Sequence, residues 1–79
     1  MRVVGQIPHP ACKITLFHWN NRYLIKFEAG HLEQTFKVDQ FSIGSEQDLE
    51  KIVNEEFIKD TLTRFEGMND SFIKSLQAL

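Results

Sequence analysis

The segment that determines the fold is ACKITLFHWNNRYLIKFEAGHLEQTFKV, residues 11–38. It is rich in β-branched and aromatic residues, which favour strands, and Asn20 and Asn21 near its middle tolerate the positive φ angles of a two-residue hairpin turn. Gly30 begins a second turn, formed either by Gly30 and His31 or by residues 29–32, and both alternatives give the same pairing downstream. The segment therefore predicts a three-stranded antiparallel β-meander with strands near residues 11–19, 22–29 and 32–38.

The pairing between these strands can be tested on the residues themselves. With a two-residue loop in the first turn, Trp19 pairs with Arg22 and Lys13 pairs with Glu28. In this register almost all of one face is apolar, and the third strand adds more apolar residues to it, with Gln34 as the single polar one. The predicted core face consists of Cys12, Ile14, Leu16, His18, Tyr23, Ile25, Phe27, Ala29, Leu32, Phe36 and Val38.

Helical signals fill the chain after the meander. Ser45 and Asp48 have the spacing of a capping box, so a helix should begin near residue 46. The apolar residues that follow lie on two different helical faces, which predicts a kink or a restart capped by Asn54. Gly67 is predicted to end the second helix, and a third helix then runs to residue 79. The meander should thus be followed by two or three helices, over about residues 46–79, packed on one sheet face.

The N-terminal residues offer one more strand. Residues 3–7 could form a short edge strand, because Pro8 and Pro10 hold the following chain extended and end the pairing. No linker or change of composition divides the chain, so we expect a single small α+β domain over residues 1–79.

Composition limits the class of protein. The single cysteine cannot form an internal disulfide, and no long apolar run follows Arg2, so we expect a cytoplasmic protein with no membrane span. Nine basic against eleven acidic residues give a net charge of −2, which argues against a protein that mainly binds a phosphate backbone. A chain this short buries only about 60% of its surface on folding, so a partner or a metal would add stability.

Few residues have metal-ligand or nucleophile chemistry. Cys12 and His18 share a strand face, but at about 3.3 Å per residue they are roughly 20 Å apart, and His31 lies in a predicted turn. The sequence contains no nucleophile elbow and no phosphate-binding loop. We therefore expect no enzyme activity, no cofactor and no metal site. A small metal-binding protein or enzyme that uses Cys12 with His9 stays open as an alternative.

The opposite face of the predicted sheet carries the most informative residues. An antiparallel sheet covered by helices on one side normally presents polar residues on its other side. Here three large apolar residues stand together among basic ones, which is typical of a surface that something covers. We predict that this surface, called the outer face below, is an interaction face formed by Phe17, Trp19, Arg22, Leu24, Lys26 and Lys37.

Three explanations account for the apolar residues of the outer face. Residues 3–10 or the last predicted helix, residues 72–79, could fold across it. A second copy of the chain or an unidentified protein partner could cover it, or it could bind single-stranded nucleic acid by stacking on bases. Glu28, Glu33 and Asp39 nearly cancel its positive charge, which disfavours nucleic acid. We therefore predict a non-enzymatic interaction or structural module that forms a homodimer through this face.

Overall fold

The computed structural model describes all residues from Met1 to Leu79 and has an α+β fold. One sheet contains four antiparallel strands in the order β1-β2-β3-β4, and two helices follow it. The β-meander followed by helices is thus confirmed, and the short N-terminal strand is present as well. The elements are β1 (Arg2–Ile7), β2 (Lys13–Trp19), β3 (Arg22–Ala29), β4 (Leu32–Asp39), a 3-10 turn (Gln40–Ser42), α1 (Gln47–Ile52) and α2 (Glu55–Leu76).

The strands pair in the register that the sequence predicts. Asn20 and Asn21 have φ angles of 54° and 62°, as a two-residue hairpin turn requires. Trp19 pairs with Arg22, and the ladder continues without a shift to the far end of the hairpin. The second turn is the shorter of the two alternatives, because Gly30 has a φ of 61° and the ladder of β3 and β4 begins with the residues on either side of Gly30 and His31.

Strand β1 forms an edge of the sheet and contains a bulge. Val3 pairs with Phe17 and Gly5 pairs with Leu16, so Val4 is an extra residue on β1. Val4 packs against the core. A bulge of this kind increases the local twist and disrupts the edge as a template for further pairing.

The core lies between the sheet and the two helices. Phe27 is fully buried, with ring centroids 5.4 Å from Phe57 and 6.0 Å from Phe36 in edge-to-face arrangements. The buried part of the predicted core face is Cys12, Ile14, Leu16, Ile25 and Phe27, and the helices add Leu49, Val53, Ile58 and Phe65. Because all of these side chains lie on one side of the sheet, the fold has two layers and a single core.

Polar contacts fix α2 on strand β4. The Gln34 side-chain amide donates to the Thr61 carbonyl at 2.9 Å, and the Arg64 guanidinium donates to the Gln34 side-chain oxygen at 3.0 Å. Arg64 also lies over the Phe36 ring, 5.8 Å from its centroid. Gln34, the one polar residue that β4 adds to the inner side of the sheet, is therefore hydrogen-bonded rather than left unpaired.

The helices start and stop partly as predicted. The restart is confirmed, because the Asn54 side chain caps α2 by accepting a hydrogen bond from the Phe57 amide at 2.9 Å. The capping box at Ser45 is wrong, since α1 begins at Gln47 and the Asp48 carboxylate instead accepts from the Gly44 amide at 2.7 Å.

The predicted helix end at Gly67 is also wrong. Helix α2 continues through Gly67 to Leu76, so the chain has two helices and no third one. The apolar residues before and after Gly67 fall on one helical stripe, and one continuous helix keeps them on the same side. A glycine inside a helix costs only about 1 kcal/mol relative to alanine, which this continuity outweighs.

Helix α2 is longer than the sheet that supports it. His31, in the turn between β3 and β4, packs against Phe72, with ring centroids 5.3 Å apart. The residues after Phe72, called the helix end below (residues 73–79), are all exposed. Neither α1 nor α2 is long and apolar enough to cross a membrane.

Candidate functional site

The outer face is the side of the sheet that points away from both helices. Its predicted residues do lie together: Phe17 pairs with Leu24, and Leu24 pairs in turn with Lys37. Because successive residues of a strand point to opposite sides of the sheet, the other residues at alternate positions of the four strands belong to the same face. These further residues are Val3, Gln6, Lys13, Thr15, Glu28, Glu33, Thr35 and Asp39.

The apolar residues of the outer face differ in their exposure. Trp19 is 52% exposed and Val3 is 55% exposed, whereas Leu24 is only 7% exposed. Leu24 is the inner member of the row and is enclosed by its cross-strand neighbours Phe17 and Lys37. A shallow groove of about 210 Å³ runs beside Met1, Phe17 and Leu24. The accessible apolar surface is therefore supplied by Trp19, Val3 and part of Phe17 rather than by Leu24.

Apart from Met1, which lines the groove beside Phe17 and Leu24, no segment of the chain covers the outer face. Residues 2–7 lie in the plane of the sheet as strand β1, and α2 packs on the inner side through Ile58 and Phe65. Residues 72–76 belong to the same continuous helix, so they cannot turn back across the sheet. Cover by the protein's own termini, the first of the three explanations, is thus excluded.

The charges of the outer face are partly neutralised within it. The Lys26 ammonium lies 3.4 Å from the Glu33 carboxylate and 3.9 Å from that of Glu28. Asp39 is the cross-strand neighbour of Arg22. A phosphate backbone would have to compete with these carboxylates for the basic side chains, which weakens the face as a nucleic-acid platform.

A buried hydroxyl group points from β2 to the outer side of the sheet. Thr15 is 4% exposed, and its Oγ1 atom has no hydrogen-bond partner. Its cross-strand neighbours are Gln6 and Lys26, and the Lys26 ammonium is directed to carboxylates instead. Unpaired buried hydroxyl groups are uncommon, and this one is closed to solvent by its neighbours.

Cys12 and His9 line one open groove, whereas His18 contacts Gln40 and His31 contacts Phe72 elsewhere in the fold. Cys12 is 8% exposed, and burial raises the pKa of its thiol, so it is held in the unreactive protonated form. The His9 Nδ1 atom accepts from the Ala11 amide, while His18 Nε2 lies 2.8 Å from Gln40 Oε1. No three His, Cys, Asp or Glu side chains are grouped closely enough to hold a metal ion.

Two other surfaces were missed by sequence reasoning. An open groove of about 410 Å³ lies between His9 and the flank of α2, with Ile58 and Leu62 at its floor and charged side chains at its rim. At the helix end, Ile73 is 39% exposed and Leu76 is 45% exposed. Their helical stripe is continuous with buried residues, and only the length of the stripe relative to the eight-residue strand β4 indicates the overhang.

Comparison of the chain with protein-family models, with curated proteins and with solved structures finds no match. Its function has therefore to be inferred from its own residues.

Proposed function

We propose that this protein is a small cytoplasmic, non-enzymatic interaction module that self-associates through its outer face. The proposal is carried by one observation, that Val3, Phe17 and Trp19 are clustered on the sheet face that neither helix covers. A sheet with helices on one side only gains most from a second layer on the other side. A second copy supplies such a layer with a surface that is mixed in charge and apolar at its centre.

The size of the outer face supports a stable contact. With strands about 4.8 Å apart and a rise of about 3.3 Å per residue, the face measures roughly 19 Å by 25 Å. Two such faces give a flat footprint of about 950 Å², and side-chain relief makes the accessible area larger. This is close to the roughly 1,000 Å² that separates specific interfaces from incidental contacts. The helix end offers only a few partly exposed side chains and is too small for a comparable contact.

The test is the absolute mass in solution of the native chain and of two lysine variants, measured by light scattering over a wide range of protein concentration. Trp19→Lys places a charge at the accessible part of the outer face. Leu76→Lys is the matched control, because Leu76 is 45% exposed against 52% for Trp19 but lies at the helix end. Both variants remove an exposed apolar side chain, so neither should unfold the monomer.

We expect the native chain and Leu76→Lys to be dimers and Trp19→Lys to be a folded monomer. A native chain that is monomeric at all concentrations would overturn the proposal. Dissociation caused by Leu76→Lys but not by Trp19→Lys would move the contact to the helix end and would also overturn it.

Single-stranded nucleic acid is the second candidate, favoured by the exposed Trp19 ring beside the Arg22 side chain. An oligonucleotide that stacks on this ring would quench its fluorescence, and salt would reverse the quenching. Because Lys26 already binds two carboxylates, we expect no quenching at low salt. Salt-sensitive quenching that Arg22→Ala abolishes would favour this candidate over self-association.

A further inference from the structure

The charges and apolar residues of the outer face also select how two copies meet, an inference that rests on the proposed function. We propose that the two outer faces stack about a two-fold axis that runs parallel to the strands, between β2 and β3. Strand β2 of one copy then lies over β3 of the second copy, and β1 lies over β4.

Symmetry leaves two choices for such a contact. In a dimer of stacked sheets the two-fold axis lies in the plane of the interface, and the same surface is used by both copies. Since stacked sheets keep their strands within about 30° of each other, the axis runs either along the strands or across them. The first choice exchanges β2 with β3 and keeps each row of residues level. The second keeps each strand over its own copy and exchanges the two ends of the sheet.

An axis along the strands makes complementary contacts in the two central strands. Every residue of β2 is placed over the copy of its own cross-strand neighbour, so the pairs of the hairpin recur between the two chains. Phe17 then lies over Leu24 of the second copy, which closes the apolar centre. The contacts at the two ends join Lys13 to Glu28, as an ion pair, and Trp19 to Arg22, as a cation on an aromatic ring.

The same axis also suits the remaining positions. Val3 of β1 shares a row with Lys37 of β4, and Gln6 shares a row with Thr35. In the dimer Val3 therefore lies over Lys37 of the second copy and Gln6 over Thr35, and neither contact joins like charges. Thr15 comes to lie over Lys26 of the second copy, so this row too joins no two like charges.

An axis across the strands makes poorer contacts. It places Arg22 over Glu28 of the second copy, which is favourable, but it also places Asp39 over Glu33, which is a contact between like charges. In the centre it puts Leu24 over Lys26, so an apolar group faces a charged one. The axis along the strands is therefore the arrangement that the surface fits, and it gives a four-layered dimer with the helices outside and both helix ends free.

A mixing experiment tests this arrangement. In Lys13→Glu alone, and in Glu28→Lys alone, both ion pairs of the dimer become contacts between like charges. We expect each variant alone to dimerise about tenfold or more weakly than the native chain. In a one-to-one mixture both intermolecular pairs are restored, although the pair inside each chain is still mismatched. We therefore expect the mixture to form a mixed dimer with affinity close to the native one, measured by light scattering and native mass spectrometry.

A second mixture is the control for the axis. Glu28→Lys combined with Arg22→Glu restores the facing charges only if the axis runs across the strands, so we expect no gain in association. A gain in this mixture instead of the first would overturn the inference. Single variants that associate as tightly as the native chain would also overturn it. The same holds if the native chain is a dimer but neither mixture restores association. These results leave the proposed self-association itself intact. A monomeric native chain ends both proposals, and circular dichroism of each variant excludes unfolding as the cause.

Discussion

Replacing Gly67 with alanine is expected to stabilise the protein, although the local sequence reads as a helix end. Gly67 lies in the interior of α2, and a Cβ atom added there would meet no atom within 4 Å. The substitution therefore changes the backbone preference of the chain without changing its packing. Alanine restricts the unfolded chain more than glycine does, so the helix forms at a smaller loss of entropy.

The expected gain follows from helix propensity. Glycine is less favourable than alanine by about 0.8–1.0 kcal/mol in a helix interior. Because the helix end beyond Phe72 makes few contacts, some fraying will reduce the measured value, and we expect about 0.5–1 kcal/mol. For a domain of this size each kcal/mol raises the melting temperature by about 4–8 °C.

Urea unfolding followed by circular dichroism, at one fixed protein concentration, measures this gain. Gly30→Ala is the matched control, because a Cβ atom at Gly30 also meets nothing within 4 Å. The two sites differ in backbone conformation, since Gly30 has a φ of 61° and alanine there is strained by roughly 1–2 kcal/mol. Opposite signs are expected for the two variants. If Gly67→Ala destabilises the protein as Gly30→Ala does, Gly67 ends a helix in the left-handed conformation and α2 is not continuous.

Three further predictions concern a cap, a carboxylate and the thiol. Asn54→Ala should lower the free energy of unfolding by about 1 kcal/mol, because the Phe57 amide loses its acceptor, and an unchanged urea midpoint would contradict this. The hydrogen bond from the Gly44 amide is the main cause that lowers the pKa of Asp48. The stability that the ionised Asp48 contributes should therefore be complete above the ordinary carboxyl pKa of 3.8 and lost as pH falls through the lower pKa of the folded protein. Asp48→Asn should therefore be less stable than the native chain near neutral pH and equally stable in strong acid, whereas a constant difference would rule out the carboxylate. Cys12 should react slowly with a thiol reagent at neutral pH and rapidly in urea, and fast labelling of the folded chain would show that the thiol is not buried.

The sheet could be predicted from the sequence because two independent signals agree there. The turn at Asn20 and Asn21 sets a register, and that register sorts apolar from polar residues onto separate faces. A shift of one residue would mix them, so the pairs of β2 with β3 follow from the residues alone. The bulge at Val4 leaves no such signal in the sequence, because one extra residue on an edge strand hardly changes the pattern of apolar and polar residues on either sheet face.

The helices were harder to predict because their signals conflict. Around Gly67 the local residues indicate a stop, while the apolar stripe from Phe65 to Leu76 indicates continuation. Phe65 is buried whether or not the helix ends at Gly67, but Met68 reaches the core and Phe72 reaches His31 only if the helix continues, and these contacts outweigh a local preference near 1 kcal/mol. The exposed helix end follows from the same cause, since the stripe continues past the last strand residue that could cover it.

The outer face shows how one set of residues can satisfy two requirements. Lys13 with Glu28 and Trp19 with Arg22 are cross-strand neighbours in the hairpin, although within the chain Glu28 pairs with Lys26 rather than with Lys13. Phe17 is different, because it is only partly buried beside the buried Leu24, and its part open to water gains less than it would under a cover. When the sheet stacks on its own copy along the strands, the charged pairs recur between chains and the apolar pair is closed. In the proposed dimer, the hairpin that sets the register of the fold would thus also make the outer face complementary to itself.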